Sequence, residues 1–223
     1  MNAGPHRPER SADLAVHPML GQHSHDDRWL PCLIWRFGPP RRAISSAVSG
    51  GGLSVVAWIL NAQVPSDYRR TDPAAHVAEI AAVCGLAGDG AGLLTACDVR
   101  AYRRASDGGV VADATVGIGQ PIWAAADATP GDYRPGTINL VVQLPVRLSE
   151  AALVNAVATA AEAKAQALWQ TGVPGTGTAT DAVCVLCPSE GSAESFAGPR
   201  SVWGGRLARA VYAAVLAGLE AQR

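Results

Sequence analysis

The sequence predicts an α+β fold: a single domain with a mixed β-sheet, helices packed on it, and a flexible N-terminal tail. Three observations lead there. Short runs of β-branched and apolar residues, punctuated by Gly and Pro, outnumber helical patterns. The elements follow roughly the order β-β-β-α-β-β-β-α-β-α, without the strict alternation that builds a doubly wound parallel sheet. The chain has 223 residues, 48% hydrophobic and 17% charged, enough for one sizeable core.

Each element has a local reason. Residues 1–28 carry His6, His17, His23 and His25 of the five histidines, and little apolar periodicity, which reads as a poorly ordered tail. His23-Ser24-His25-Asp26-Asp27 is a loose metal-binding pattern with no second ligand cluster to complete it, so a solvated tail is the simpler reading. Leu33–Phe37 reads as a strand closed by Gly38-Pro39-Pro40, and Ala43–Val48 and Leu53–Leu60 as two more around Gly50-Gly51-Gly52. Asp72 then caps a helix with Pro73 at its first position, running to about Cys84 and ended by Gly85. Leu93–Ala96 and Gly109–Ile118 are strands. Thr137–Val146 is the clearest one, launched by a Pro135-Gly136 turn. Ser149 caps a long helix to about Gln170 that Gly172 terminates. Thr178–Cys187 is a last strand stopped by Pro188, and a final helix covers about Trp203–Leu219.

Composition narrows the function. With 18 Lys and Arg against 19 Asp and Glu, the net charge of −1 provides no field to attract nucleic acid or an anionic membrane. No apolar run reaches the roughly 18 residues of a membrane span, and no secretory signal pattern opens the chain. Five sparse cysteines, Cys32, Cys84, Cys97, Cys184 and Cys187, suggest reduced thiols and a cytoplasmic setting. One histidine, His76, lies in the body, where a zinc site needs two or three. The helical wheel puts it beside Ile80 and Val83, as a packing residue at the rim of an apolar face. Cys184-Val-Leu-Cys187 matches C-x-x-C, but the odd offset sends the two side chains to opposite faces of a strand, as buried fillers.

Three segments carry possible chemistry. Gly50-Gly51-Gly52 leads into a strand rather than a helix, so it is either a tight turn or a place where a ligand meets bare backbone. On the long helix, Leu153, Val157, Ala161 and Leu168 share a face at 100° per residue. Lys164 points into that face, while Asn155, Thr159, Glu162 and Gln166 form a polar stripe opposite. A lysine so placed either snorkels or meets a carboxylate in a cavity. In Gly175-Thr176-Gly177-Thr178-Ala179-Thr180-Asp181, an extended backbone would line three hydroxyls on one face, with a carboxylate at the end.

These residues resemble the adenosylcobinamide amidohydrolase (CbiZ) family. The matching stretches, in order, are Ser45-Ser46-Ala47 with Gly50-Gly51-Gly52, Asn61, Gly92–Ala96 with Asp98, Pro135–Asn139, Leu148-Ser149 through Glu162-Ala163-Lys164, Gly177–Val183, Ala197-Gly198, Trp203-Gly204 and Arg209–Tyr212. The resemblance spans about residue 40 to the C-terminus. It departs from the family at Thr171–Pro174, where the loop is short. It implies hydrolysis of the amide joining aminopropanol to a propionate side chain of adenosylcobinamide, giving adenosylcobyric acid for cobamide salvage. The implied partner is a small-molecule corrinoid. No cofactor is implied, with Mg²⁺ or Ca²⁺ left open because those ions need only oxygen ligands. Within the matching motifs, Asp181 and Glu162 are candidate general bases, and Lys164 a candidate for oxyanion stabilisation or amine protonation. Ser46, Gly51, Asn61, Asn139, Thr178 and Thr180 are candidate substrate contacts, with a Thr178 or Thr180 nucleophile as a weaker alternative. Trp58, Trp123, Trp169 and Trp203 are candidate apolar walls. A non-catalytic corrinoid or small-molecule binder on the same fold is the alternative reading.

Overall fold

The computed structural model of the chain describes residues 15–127 and 136–222. Its elements are β1 (Met19–His25), β2 (Arg28–Ser45), β3 (Gly52–Gln63), α1 (Pro73–Val83), β4 (Gly90–Thr95), β5 (Arg103–Asp107), β6 (Val110–Val116), β7 (Ile138–Gln143), α2 (Glu150–Gln170), β8 (Ala182–Pro188) and α3 (Val202–Glu220). A 3₁₀ turn, Val99–Ala101, precedes β5. The strands form one sheet in the order β4-β3-β2-β8-β7-β6-β5, with β1 paired to β2. The β3–β4 and β7–β8 pairs are parallel and the rest antiparallel. This is the α+β fold with a mixed sheet that the sequence predicts.

Alternation along the strands sorts the core into two sides. Ala112, Ala114, Leu140, Val142, Val185 and Cys187 pack against Leu153, Ala156, Leu207 and Val211 of α2 and α3. Further along the same side, Ile34, Leu60 and Ala62 pack against Val77, Ile80 and Ala81 of α1. The other side holds Leu33, Trp35, Ile59, Leu93, Val141, Cys184 and Leu186. There the sheet curls on itself. The Asn139 amide on β7 donates to Asn61 Oδ1 on β3 at 2.9 Å and to the Leu94 carbonyl at 3.0 Å, although β2 and β8 separate β7 from β3. The two cysteines of the C-x-x-C therefore face opposite cores, as the odd offset predicts, and burial pushes the Cys184 thiol up to about 12.

The structure corrects several expectations. The tail does not extend to residue 28: β1 pairs along its length with β2, and His23 is buried with its Nε2 2.9 Å from the Gln63 carbonyl. Polar composition hid this strand, because its partner supplies the apolar side chains. Residues 1–14 of the expected tail lie outside the described residues. The two strands expected around Gly38-Pro39-Pro40 are one, β2, with a register shift against β3 between Arg36 and Arg41. The two prolines have no N–H to give to a ladder, so the irregularity sits where they do. β5 was not anticipated; it turns into β6 through Gly108 and Gly109, at φ +53° and +90°. On α2, Ala161 is exposed and Thr159 is buried, donating to the Ala197 carbonyl at 2.8 Å, so the inward stripe is rotated from the one drawn on the helical wheel. Asp72 precedes α1 as expected, but its carboxylate pairs with Arg70 and does not cap the helix. Ser149 caps α2 as expected, accepting from the Ala152 amide.

Candidate active site

The last strand begins at Ala182, four residues later than expected. The preceding Gly-Thr run is a turn, not an extended ladder, and Asp181 sits at its end with its carboxylate folded back inside. Oδ1 accepts from the Ile138 amide at 2.9 Å and lies 2.6 Å from the Thr178 hydroxyl. Oδ2 accepts from the Thr178 amide at 3.1 Å and from the Lys164 ammonium of α2. Lys164 and Asp181 are thus partners in a largely buried ion pair, which is the carboxylate-in-a-cavity alternative for Lys164. Gly177 permits it: a Cβ there would collide with both charged groups.

This knot ties the start of β7 to the turn before β8. The Thr178 hydroxyl also lies 2.7 Å from the Gly136 carbonyl, so its single proton is shared between that carbonyl and Asp181. Thr137 and Thr180, on either side, bring their hydroxyls to 2.7 Å of one another. Those two hydroxyls face a cleft of about 700 Å³. Ser46 and Val48 after β2, Val64–Arg69 after β3, Leu93–Ala96 at the end of β4, Pro73, and Asp181-Ala182 complete its lining. Its polar groups are mostly hydroxyls, and its apolar surface comes from valine, leucine, proline and Tyr68, a composition suited to a partly apolar ligand with peripheral polar groups.

The proposed site residues distribute unevenly around this cleft. Ser46, Thr180 and Asp181 line it. Ser46 also stitches β2 to β8, its hydroxyl accepting from the Val183 amide at 3.0 Å. Thr178 and Lys164 stand behind the lining, on Asp181. Asn61 and Asn139 do not reach it as substrate contacts. Both are 1% exposed, and Asn61 donates to Thr115 at 3.0 Å. They bridge the curled sheet beneath the cleft, and Asn139 Oδ1 has no hydrogen-bond partner. Gly51 is a structural turn residue: a Cβ on it would lie 2.6 Å from the Ala47 carbonyl, and Gly50 beside it, at φ +68°, packs on the β4 backbone. The approach to bare backbone is made by the protein itself. Glu162 is exposed, and two residues from Lys164 it points about 200° around the helix from the ion pair; it is a solvated helix residue. The tryptophan walls are also corrected. Trp58 is buried with its indole N–H on the Gly88 carbonyl, Trp123 and Trp169 are exposed, Trp203 stacks with Arg206, and none lines the cleft.

Sequence reasoning missed Tyr68, Thr95 and Thr137. The Pro65-Ser66-Asp67-Tyr68 turn, closed by the Tyr68 amide on the Pro65 carbonyl at 3.1 Å, was a turn signal available to it. Tyr68 packs between the cleft and a second cavity of about 620 Å³, lined by His23, His25, Arg70, His76 and Glu79, with Asp67 and Arg69 shared by both. Among the described residues, no group of three or more His, Cys, Asp or Glu side chains is arranged to hold a metal ion.

A family model described as adenosylcobinamide amidohydrolase (CbiZ) matches residues 17–223, starting just before β1. An adenosylcobinamide amidohydrolase of Methanosarcina mazei is 33% identical over 187 residues, covering 80% of this chain and 90% of that protein. One of Halobacterium salinarum is 35% identical over 168 residues, covering 71% and 72%. Among solved structures, the PH0078 protein from Pyrococcus horikoshii OT3 aligns with a TM-score of 0.46 at 11% identity, covering 99% of this chain and 89% of that one.

Proposed function

The chain belongs to the adenosylcobinamide amidohydrolase family, and from that premise we propose that it hydrolyses the amide between aminopropanol and the corrin side chain of adenosylcobinamide, releasing adenosylcobyric acid. The observation that carries this reading to particular residues is convergence. Ser46, Thr95, Thr137, Thr180 and Asp181, drawn from stretches that match the family and lie far apart in sequence, line one cleft. Its apolar walls suit the edge of the macrocycle, and its hydroxyls suit the peripheral amides. Thr137 and Thr180 are the groups placed to receive the developing oxyanion. Asp181 already accepts from four donors, and we assign it with Lys164 to holding those hydroxyls in place.

Incubation of the purified protein with adenosylcobinamide tests the reading: adenosylcobyric acid and aminopropanol should appear in equal amounts. The saturation of Asp181 favours a second reading, a corrinoid binder without turnover. That reading predicts a change in the corrinoid absorbance spectrum and no product. We further propose turnover without a bound metal, since the carboxylates lining the cleft are Asp67 and Asp181, and the latter is fully engaged. A chelator should leave the rate unchanged; a loss restored by Mg²⁺ or Ca²⁺ would assign an oxygen-bound ion instead. The five cysteines stand as free thiols, which supports a cytoplasmic setting. Among the described residues, no helix is long and apolar enough to cross a membrane.

A further inference from the structure

Amide hydrolysis needs one group that takes a proton from the attacking water and returns one to the leaving amine. On one wall of the cleft no hydroxyl has a titratable base bonded to it, and the carboxylate there is already occupied. Ser46 accepts from Val183, Thr95 accepts from the Cys97 amide, Thr137 and Thr180 bond each other, and Asp181 has four donors. The Tyr68 phenol is different: it lines the cleft and its Oη lies 3.0 Å from Nδ1 of His76, on the first turns of α1. Their rings stack, with centroids 5.5 Å apart and 17° between planes. The Pro65–Tyr68 turn fixes the phenol, and His76 is 3% exposed.

We propose that Tyr68 and His76 form the proton relay for amide cleavage in this cleft, with Tyr68 touching the substrate and His76 acting through it. The proposal rests on the amidohydrolase reading. In the first step the water oxygen bonds to the amide carbon, and the C=O π pair moves onto oxygen. The water proton passes to Tyr68 Oη as the Tyr68 proton passes to His76 Nδ1. In the second step the C–N bond breaks, its electron pair leaving on nitrogen, and the C=O bond re-forms. The His76 Nδ1 proton returns to Tyr68 Oη while the Tyr68 proton goes to the amine. Water has then been added across the amide, and the pair is restored.

The surroundings suit this role. His25 and His23 of β1 face His76 with ring centroids 5.0 and 6.0 Å away, and Arg70, Asp72 and Glu79 complete the charged groups around it. Burial, then Arg70 and the two imidazoles, hold His76 below its ordinary 6.5, so it is an unprotonated base at neutral pH. Burial holds the Tyr68 phenol above its ordinary 10, so it keeps its proton.

Two variants of the full chain test the relay, with rates measured on adenosylcobinamide, corrinoid binding followed by absorbance, and circular dichroism to confirm folding. Tyr68→Phe keeps the ring and its stacking. It should lower kcat by about 100-fold or more, the typical weight of general acid–base catalysis, and leave binding within threefold. His76→Gln should lower kcat and remove the acid limb of the pH–rate profile, whose midpoint in the wild-type protein should fall below 6.5 because burial holds His76 below that value. Wild-type turnover in Tyr68→Phe, or an acid limb that persists in a folded His76→Gln, overturns the relay while the activity stands. Should His76→Gln not fold, Tyr68→Phe decides alone. A wild-type protein that binds the corrinoid and yields no product overturns the activity and the relay together.

Discussion

The Lys164 ammonium reaches the Asp181 carboxylate directly across the backbone of Gly177. A Cβ on that glycine would lie 2.5 Å from Lys164 Nζ and closer still to Asp181 Oδ2. Three residues from two segments therefore specify one feature: a helix-borne cation, a turn-borne anion, and the missing side chain between them. The feature bears on function because the same carboxylate holds the Ile138 amide and the Thr178 amide, and so the two hydroxyls at the cleft wall.

Gly177→Ala should separate this pair. The added methyl meets side-chain ends on one side, so it fits only if the ion pair moves apart. We expect a destabilisation of about 1–3 kcal/mol, the usual cost of overpacking, and a loss of turnover that exceeds the loss of folded protein. Thermal melting alongside steady-state rates reads both. An alanine variant with wild-type melting and rate would show that the pair is not needed where it stands.

Lys164→Met and Asp181→Asn should both fall in stability as well as turnover. The first leaves a carboxylate that is 12% exposed without its cation. Removing one partner of a buried pair costs about 3–5 kcal/mol, and the three remaining donors to Asp181 put this case at the low end. The second turns one acceptor into an N–H facing donors. Chemical denaturation should show both losses, and the double variant should lose less than the sum of the two. Glu162→Gln is the control: it lies on the solvent face of α2 and should change stability by less than about 0.5 kcal/mol and turnover not at all. Full additivity of the pair, or a large effect of Glu162→Gln, would contradict the geometry.

What the sequence revealed depended on how local the cause was. Ser149 announces its helix because the cap is a bond between near neighbours, and Cys184 and Cys187 face opposite cores because strand alternation is local. β1 was illegible because it is paired to β2 and five of its seven residues, Gly21 to His25, carry no apolar side chain. β5, half-buried except at the exposed Ser106, was hidden for a similar reason: it is an edge strand held mainly by β6 and α3.

The site divides the same way. Lys164 stood out as a cation on an apolar helix face, and Asp181 as the carboxylate ending a Gly-Thr run, so their pairing was within reach of pattern alone. The Asn61–Asn139 bridge was not. It depends on the curl of the sheet, which brings β3 and β7 together across two intervening strands. The Tyr68–His76 contact depends on how the Pro65–Tyr68 turn docks on α1. Helical periodicity placed His76 on a packed face and carried no information about which ring would meet it.

Removing residues 1–27 should therefore destabilise the protein. The truncation strips β1 from β2, uncovers Cys32 and Ile34, and deletes His23 from the Gln63 carbonyl. For a chain of this length each kcal/mol moves the melting temperature by about 2–4 °C. With seven ladder residues gone, a fall of 10 °C or more is expected. A truncated protein that melts with the full chain would mean that β1 contributes nothing to the fold.

The histidines that β1 and α1 bring together should also make stability fall in mild acid. His23 and His76 are both buried, and burial is the main cause holding each below the 6.5 of an unfolded histidine. For a base whose folded value is depressed, the neutral form is the one the fold accepts. The stability contribution is fully present above 6.5 and is lost as pH falls through the folded values below it. Each such group adds a slope of about 1.4 kcal/mol per pH unit where the unfolded chain holds the extra proton. Arg70, fixed beside His76 by Asp72 and Glu79, makes the added charge there costlier. Melting temperature should be level from pH 8 to 7 and decline below about 6.5, well before the carboxylates begin to titrate. The double variant His23→Gln/His76→Gln starts from a lower plateau because it loses packing, but its curve should be flatter between pH 6.5 and 5. The slopes, not the plateaus, decide: equal slopes in the two proteins would place the acid sensitivity outside this cluster.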